Sequence, residues 1–247
     1  MGQLETTLGG GQEAFPETVW SSLLGREGPP TAERLAAIND LAQTYWRPVY
    51  KFIRTAGGAT IEDAKDLTQE FFSYVLEGGV LSKYDPAKGR FRTFLKGVLR
   101  NFLSVERRDA SRLKRGGGRL MIPLDVAALE TPEFLAERDR VSPDEAFDRQ
   151  WAGEILSESL AELRKQLLAE GRAVHLKAYE AYHEIGGDAG RPTYASIGRD
   201  LGLTEQQVKD HLAVARERLE KLVKDRLARR VASPGEVAAE LNDLLFG

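Results

Sequence analysis

The run Phe91-Arg-Thr-Phe-Leu-Lys-Gly-Val-Leu-Arg-Asn-Phe-Leu103 places apolar side chains at Phe91, Phe94, Leu95, Val98, Leu99, Phe102 and Leu103. These positions recur every three or four residues, which puts them on one face of a helix and rules out the alternation of a half-buried strand. The same spacing returns at Leu35, Ile38, Leu41, Tyr45, Val49, Phe52 and Ile53, and again at Ala64, Leu67, Phe71 and Tyr74. It appears a fourth time at Phe147, Trp151, Ile155, Leu160, Leu163 and Leu167. Gly57-Gly58, Gly78-Gly79 and Gly171 stop the runs, and Pro48 is expected to kink the first of them. With no strand signal anywhere, the expected fold class is all-α.

Charge divides the chain further. Residues 83–119 hold twelve Lys/Arg against Asp85, Glu106 and Asp109, a balance of +9. Residues 62–77 before them stand at −4 and residues 123–148 after them at −6, while residues 209–230 return to +4. Two basic elements separated by an acidic one suit contact with phosphates, because Lys and Arg release condensed counterions from a nucleic-acid backbone. On the third helix Arg92, Lys96, Arg100 and Arg107 follow one another at spacings of four, four and seven, forming a basic rail. With Asn101 and the aromatics Tyr84, Phe91 and Phe94 nearby, the rail suits a strand whose bases leave the stack, although Phe94 is expected mainly in the core.

Residues 193–208 onward read as helix, tight turn at Gly202, and capped helix, the spacing of a helix-turn-helix. Ala195, Ile197 and Leu201 are expected to face Val208, Leu212 and Ala215. Gln206, Gln207, Lys209, Asp210 and His211 are then the candidates for base edges, and Arg216 and Arg218 for phosphates. Pro123 and Pro132 mark residues 116–141 as an acidic linker, and Ser142-Pro-Asp-Glu145 as the start of the next helix. Ser233-Pro-Gly-Glu236 repeats that start for a last helix with Val237, Leu241, Leu244 and Leu245 at helical spacing.

Catalytic readings fare badly. The 247 residues include no cysteine, so thiol catalysis, disulfides and cysteine-ligated metals are excluded, and a reducing compartment, the cytoplasm, is expected. Glu180-x-x-His183 with Glu184 is half of a carboxylate–histidine metal site without its second half. There is no Gly-x-Ser-x-Gly elbow, and Gly116-Gly117-Gly118 lacks the Gly-Lys-Ser/Thr of a phosphate loop. No catalytic residue, metal, cofactor or small-molecule substrate is expected. No membrane span or export signal is expected either.

The strings Tyr45-Trp-Arg-Pro-Val-Tyr-Lys-Phe-Ile53, Glu62-Asp-Ala-Lys-Asp-Leu-Thr-Gln-Glu-Phe-Phe72 and Gly89-Arg-Phe-Arg-Thr-Phe-Leu95 with Leu99-Arg-Asn-Phe-Leu103 give the chain a family resemblance. It resembles bacterial RNA polymerase sigma factors of the sigma-70 family, extracytoplasmic-function type. The second string looks like region 2.2 of that family, and residues 194–219 look like region 4.2. The resemblance implies two small helical domains and an alternative sigma factor that binds core RNA polymerase, directs it to specific promoters and nucleates melting. Its core-polymerase contacts, with the β′ clamp coiled coil, would be Asp63, Asp66, Gln69, Glu70 and Phe71. Its −10 contacts would be Tyr84, Lys88, Arg90, Arg92, Lys96, Arg100, Asn101, Arg107 and Arg108. Its −35 contacts would be Thr204, Gln206, Gln207, Lys209, His211 and Arg216, in a domain resting on the β flap.

The implied organisation is a leader with a short helix at 1–30, a region 2-like domain at 31–115, the acidic linker at 116–141, a region 4-like domain at 142–232 and a helical tail at 233–247. The linker's sign matches a family segment that threads the active-site and RNA-exit channels. An anti-sigma factor or another regulator is a further partner class. Asp210 and Ala213-Val214 stand where the family commonly carries Ser and cations, which implies weak −35 contact. The alternative is a helix-turn-helix transcriptional regulator that binds DNA without polymerase.

Overall fold

The computed structural model describes residues 32–77, 79–108, 124–183, 192–231 and 234–246, without the side chains of 32–38, 76–77, 106–108, 234 and 245–246. The expected leader, the Gly116-Gly117-Gly118 run and Glu184 lie outside the described residues. Regular structure among the described residues is entirely helical, as expected. Nine α-helices are described: α1 Ala32–Thr55, α2 Ile61–Glu77, α3 Phe91–Arg108, α4 Pro132–Glu137, α5 Pro143–Ala169, α6 Ala173–His183, α7 Tyr194–Leu201, α8 Glu205–Arg230 and α9 Pro234–Phe246. Short 3₁₀ turns at Val80–Lys83 and Pro86–Lys88 join α2 to α3.

Helix α1 runs through Pro48 without ending there. Proline removes one rung of the hydrogen-bond ladder, but Tyr45, Trp46, Val49 and Tyr50 around it are at most 2% exposed, so burial on the neighbouring helices holds the segment helical. Helix α5 starts as its sequence implies: Ser142 accepts from the Glu145 amide at 3.2 Å and Pro143 occupies the first turn.

The main core is continuous from Leu41 of α1 to Leu227 of α8. Phe71 and Phe72 of α2, Phe91, Leu95 and Leu99 of α3, and Phe147, Trp151 and Ile155 of α5 all belong to it. Burial therefore does not divide at residue 142: α5 gives its first half to the layer around α1 and, through Leu163 and Leu167, also meets α8. A second, smaller cluster of Ile197, Val208 and Leu212 closes α7 onto α8 against Tyr179 and Tyr182 of α6.

The α7–α8 corner depends on two glycines. Gly202 ends α7 in the left-handed region at φ 69°, where side-chain-bearing residues are strained. Gly198, one turn earlier, has the Leu203 carbonyl oxygen 2.6 Å from the place a Cβ would take. Gly198→Ala is therefore expected to destabilise the α6–α8 corner by roughly 1–3 kcal/mol through forced displacement of backbone, measured as a shift in the urea unfolding midpoint.

Segment 124–141, expected to be a linker without periodicity, is folded against α1. Thr131 caps α4 by accepting from the Phe134 amide at 3.2 Å, with Pro132 at its first position. Arg54, 5% exposed, donates to both carboxylate oxygens of Glu130 at 2.8 and 2.7 Å, and the Tyr50 hydroxyl donates to the same carboxylate at 2.8 Å. The Lys51 ammonium donates to the Leu129 carbonyl and sits 3.1 Å from the Phe134 ring centroid. Burial pushes the Lys51 ammonium down to about 8.

Hydrogen bonds from Arg54 hold the Glu130 carboxyl below its ordinary 4.5. Because the folded value is the lower one, this contact contributes fully above about pH 4.5 and is lost as pH falls through the folded value. Glu130→Gln is expected to flatten that part of the acid limb. Urea midpoints of the two proteins compared between about pH 6 and about pH 3 would show it.

Candidate nucleic-acid interface

Helix α3 carries two polar faces as well as its buried one. The first borders a cavity of about 390 Å³ between α3 and the turns that precede it. Tyr84, Lys88 and Arg90 line one side; Phe94, Gly97 and Asn101 line the other. Four of the −10 candidates, Tyr84, Lys88, Arg90 and Asn101, are thus brought together around one space.

Tyr84 is held rigidly there. It is 6% exposed, stands edge-on to Phe91 at 5.2 Å between ring centroids and shares its one hydroxyl hydrogen between the Gly89 carbonyl at 3.1 Å and the Glu236 carboxylate at 3.2 Å. Burial, with Glu236 adding to it, pushes the phenol well above its ordinary range, so the group stays a neutral donor. Phe94 is both packed on the core and exposed to the cavity, so the core expectation covers only half of its role. The aromatic rings of Tyr84 and Phe94, with Lys83, Lys88 and Arg90 around Asp85 in the same lining, suit a flat, polar-edged group flanked by phosphates.

The second polar face is the rail. Arg92, Lys96 and Arg100 do follow one another along α3, but carboxylates from two other helices meet them. Arg92 donates to Asp148 at 2.9 Å and to Glu240 at 2.7 Å, pairs with Asp243 at 2.9 Å, and stacks 4.9 Å above the Trp151 ring. Lys96, 8% exposed, pairs with Asp148 at 2.7 Å and Asp144 at 3.6 Å, and Arg100 pairs with Asp144. Arg90, which lines the cavity, pairs with Asp243 and, at 3.4 Å, with Glu240. The side chains of Arg107 and Arg108 lie outside the described residues.

The sequence reading missed Asp144, Asp148, Glu240 and Asp243 as partners of the basic side chains, and Glu236 as a partner of Tyr84 and the Phe91 amide. Their signal is their own helical spacing: four between Asp144 and Asp148, then four and three along α9.

On α2, Asp63 and Asp66 are exposed and Gln69 and Glu70 half-buried along one side. Asp63 also accepts from the Thr60 hydroxyl at 2.7 Å at the start of the helix. Phe71 has no part in that surface. It is 0% exposed and lies edge-on to Phe72 and Phe102, a core residue because Ala64, Thr68, Phe71 and Val75 share the inward phase of α2.

On α8, Thr204 and Gln207 satisfy one another's backbone amides as a capping box, at 3.2 and 2.9 Å. Gln206 donates to Asp210 at 2.9 Å, and Lys209 lies 5.5 Å from the Tyr194 ring. Arg216 lies 4.7 Å from the Tyr182 ring, and Arg218 is tied to Glu170 at 2.7 Å. His211 packs against His175 at 4.2 Å, and burial together with that neighbour holds the His175 imidazole below its ordinary value. Glu180 pairs with Arg164, and no cluster that could hold a metal ion occurs among the described residues.

No described helix is long and apolar enough to cross a membrane. No curated protein and no solved structure matches the chain. Residues 41–113, which hold the buried part of α1, all of α2, the cavity and the rail, match the family model described as Sigma-70 region 2, the part of sigma factors that binds core RNA polymerase and melts promoter DNA.

Proposed function

We propose that this chain is an alternative sigma factor of the extracytoplasmic-function type, which binds core RNA polymerase, directs it to specific promoters and starts strand separation there. The observation that carries the reading is the coincidence of the region 2 match with an aromatic-walled cavity beside a basic helix face. The cavity takes a flipped −10 base, with Tyr84, Lys88, Arg90 and Asn101 around it, and Arg92, Lys96 and Arg100 take the adjoining phosphates. Unstacking one base costs a few kcal/mol, offset by cavity contacts, released counterions and core polymerase.

The exposed acids of α2, Asp63 and Asp66, make the contact with the β′ clamp, with Gln69 and Glu70 beside them. Helix α8 reads the −35 duplex through Gln206, Lys209 and Arg216, while Thr204 and Gln207 set the start of the helix. With Asp210 on the same surface, this contact adds less than the −10 contacts do. No catalytic step belongs to the chain itself.

The reading is tested by reconstituting the chain with core polymerase on fragmented genomic DNA and sequencing RNA 5′ ends. Discrete starts sharing one upstream hexamer support it; starts no different from core polymerase alone refute it.

Gly97 offers a separate check on the cavity. A Cβ added there meets nothing within 4 Å. A helix gains up to about 1 kcal/mol when a larger residue replaces a mid-helix glycine. Gly97→Leu is therefore expected to keep or raise the unfolding midpoint while filling the cavity. Open-complex formation, read by permanganate reactivity of unpaired thymines, should fall at least tenfold, by roughly the few kcal/mol of an excluded base.

A further inference from the structure

We propose that α9 is a built-in competitor of promoter DNA: its carboxylates occupy the phosphate positions of the α3 rail, and the chain binds DNA strongly only after α9 leaves. The inference rests on the reading of α3 as the DNA-binding helix. It goes beyond that reading in assigning the C-terminal helix a regulatory contact.

Helix α9 has two faces. Val237, Leu241 and Leu244 rest, partly buried, on the main core. Glu236, Glu240 and Asp243, each one position earlier, lie on the adjoining face, toward α3. The Glu236 carboxylate accepts from the Phe91 amide at 2.7 Å and the Tyr84 hydroxyl at 3.2 Å. It therefore occupies the N-terminus of α3, where unpaired amides and the helix dipole favour an anion, phosphate included. Glu240, 0% exposed, is gripped by Arg92, and Asp243 bridges Arg90 and Arg92.

Among the described side chains, Arg90, Arg92, Lys96 and Arg100 supply four positive charges, and Asp144, Asp148, Glu240 and Asp243, which pair with them, supply four negative ones. These four cations thus carry no excess charge with which to release counterions from DNA. Tyr84 and Arg90 line the cavity and bond to α9 as well, so one helix engages both halves of the −10 interface.

Of the two acidic helices, α9 is the one that can leave. Phe147 and Trp151 fix α5 in the core at 0% and 1% exposure, whereas the described apolar side chains of α9 that pack on the core, Val237, Leu241 and Leu244, are partly buried. Burial also pushes the Glu240 carboxyl upward against the pull of Arg92 and Arg90, and a buried ion pair recovers little net stability over the cost of desolvating its charges.

The test uses the full chain and two independent ways of releasing α9. Glu236→Gln/Glu240→Gln/Asp243→Asn removes the charges; Leu241→Ser weakens the apolar seat and keeps every charge. Hydrogen exchange of residues 236–244 reports whether α9 is docked. Fluorescence anisotropy reports affinity for a mixed-sequence, single-stranded DNA of about 30 nucleotides at about 50 mM NaCl. Both variants should lose protection in α9 and bind the DNA at least about tenfold more tightly, with a steeper salt dependence as Arg90 and Arg92 are freed. Adding Arg90→Ala to either should reverse much of the gain, because Arg90 is one of the two cations that α9 holds.

Lost protection with unchanged DNA affinity overturns the proposal. So does an α9 already unprotected in the unaltered chain, or a gain that Arg90→Ala leaves intact. Binding of the same proteins to core polymerase reports separately on the sigma-factor reading, so failure of one is distinguishable from failure of the other.

Discussion

Asp66→Arg is expected to lower affinity for core RNA polymerase by at least about 30-fold, the 2 kcal/mol or more typical of a central interface residue whose charge is reversed. Unfolding should not change, because Asp66 is exposed on α2 while the inward positions Ala64, Thr68 and Phe71 are each 0% exposed. Asp63 is a poorer choice for this test, since its hydrogen bond with Thr60 at the start of α2 would be lost as well. The measurement is a titration of labelled chain with core polymerase, paired with a urea unfolding curve. Undiminished affinity with an intact fold would remove α2 from the contact.

Arg92→Ala has the largest expected effect on stability, about 3–5 kcal/mol, because it leaves a buried carboxylate without its main partner. The Arg92 side chain is 12% exposed and Glu240 1%, so solvent does little to screen the loss. Replacing the pair together by apolar residues of similar size, Arg92→Met with Glu240→Leu, is expected to restore stability to within about 1–2 kcal/mol of the native chain. Urea unfolding measures both. If Arg92→Ala cost under about 1 kcal/mol, the ion pairs would be behaving as surface pairs, with solvent reaching Glu240.

The helices were legible because each long one has an apolar period of its own, and the caps because Ser142-Pro143 and Thr204 with Gln207 act over three residues. Thr131-Pro132 carries the same signal for α4, but a six-residue helix is too short to show a period, so 116–141 read as linker. The basic rail was legible as charge and illegible as a set of ion pairs. Asp148 and Glu240 lie 56 and 148 residues from Arg92, and nothing local announces which cation a carboxylate will meet.

Phe71 shows a different failure. The 3.6-residue phase that puts it inward was present in the sequence, yet the family motif also made it a contact residue; the packing follows the phase. Gly198 was invisible because its reason is a carbonyl from the next turn, a close approach that exists only once α7 and α8 are folded together.

The central claim is that the region 2 segment serves a sigma factor, and binding of the full purified chain to core polymerase in competition with a housekeeping sigma factor tests it most directly. Saturable binding, with each protein displacing the other, is the expected result. A chain that ignores core polymerase while binding duplex DNA would contradict it, and would make this protein a DNA-binding regulator whose acidic α2 face serves some other partner.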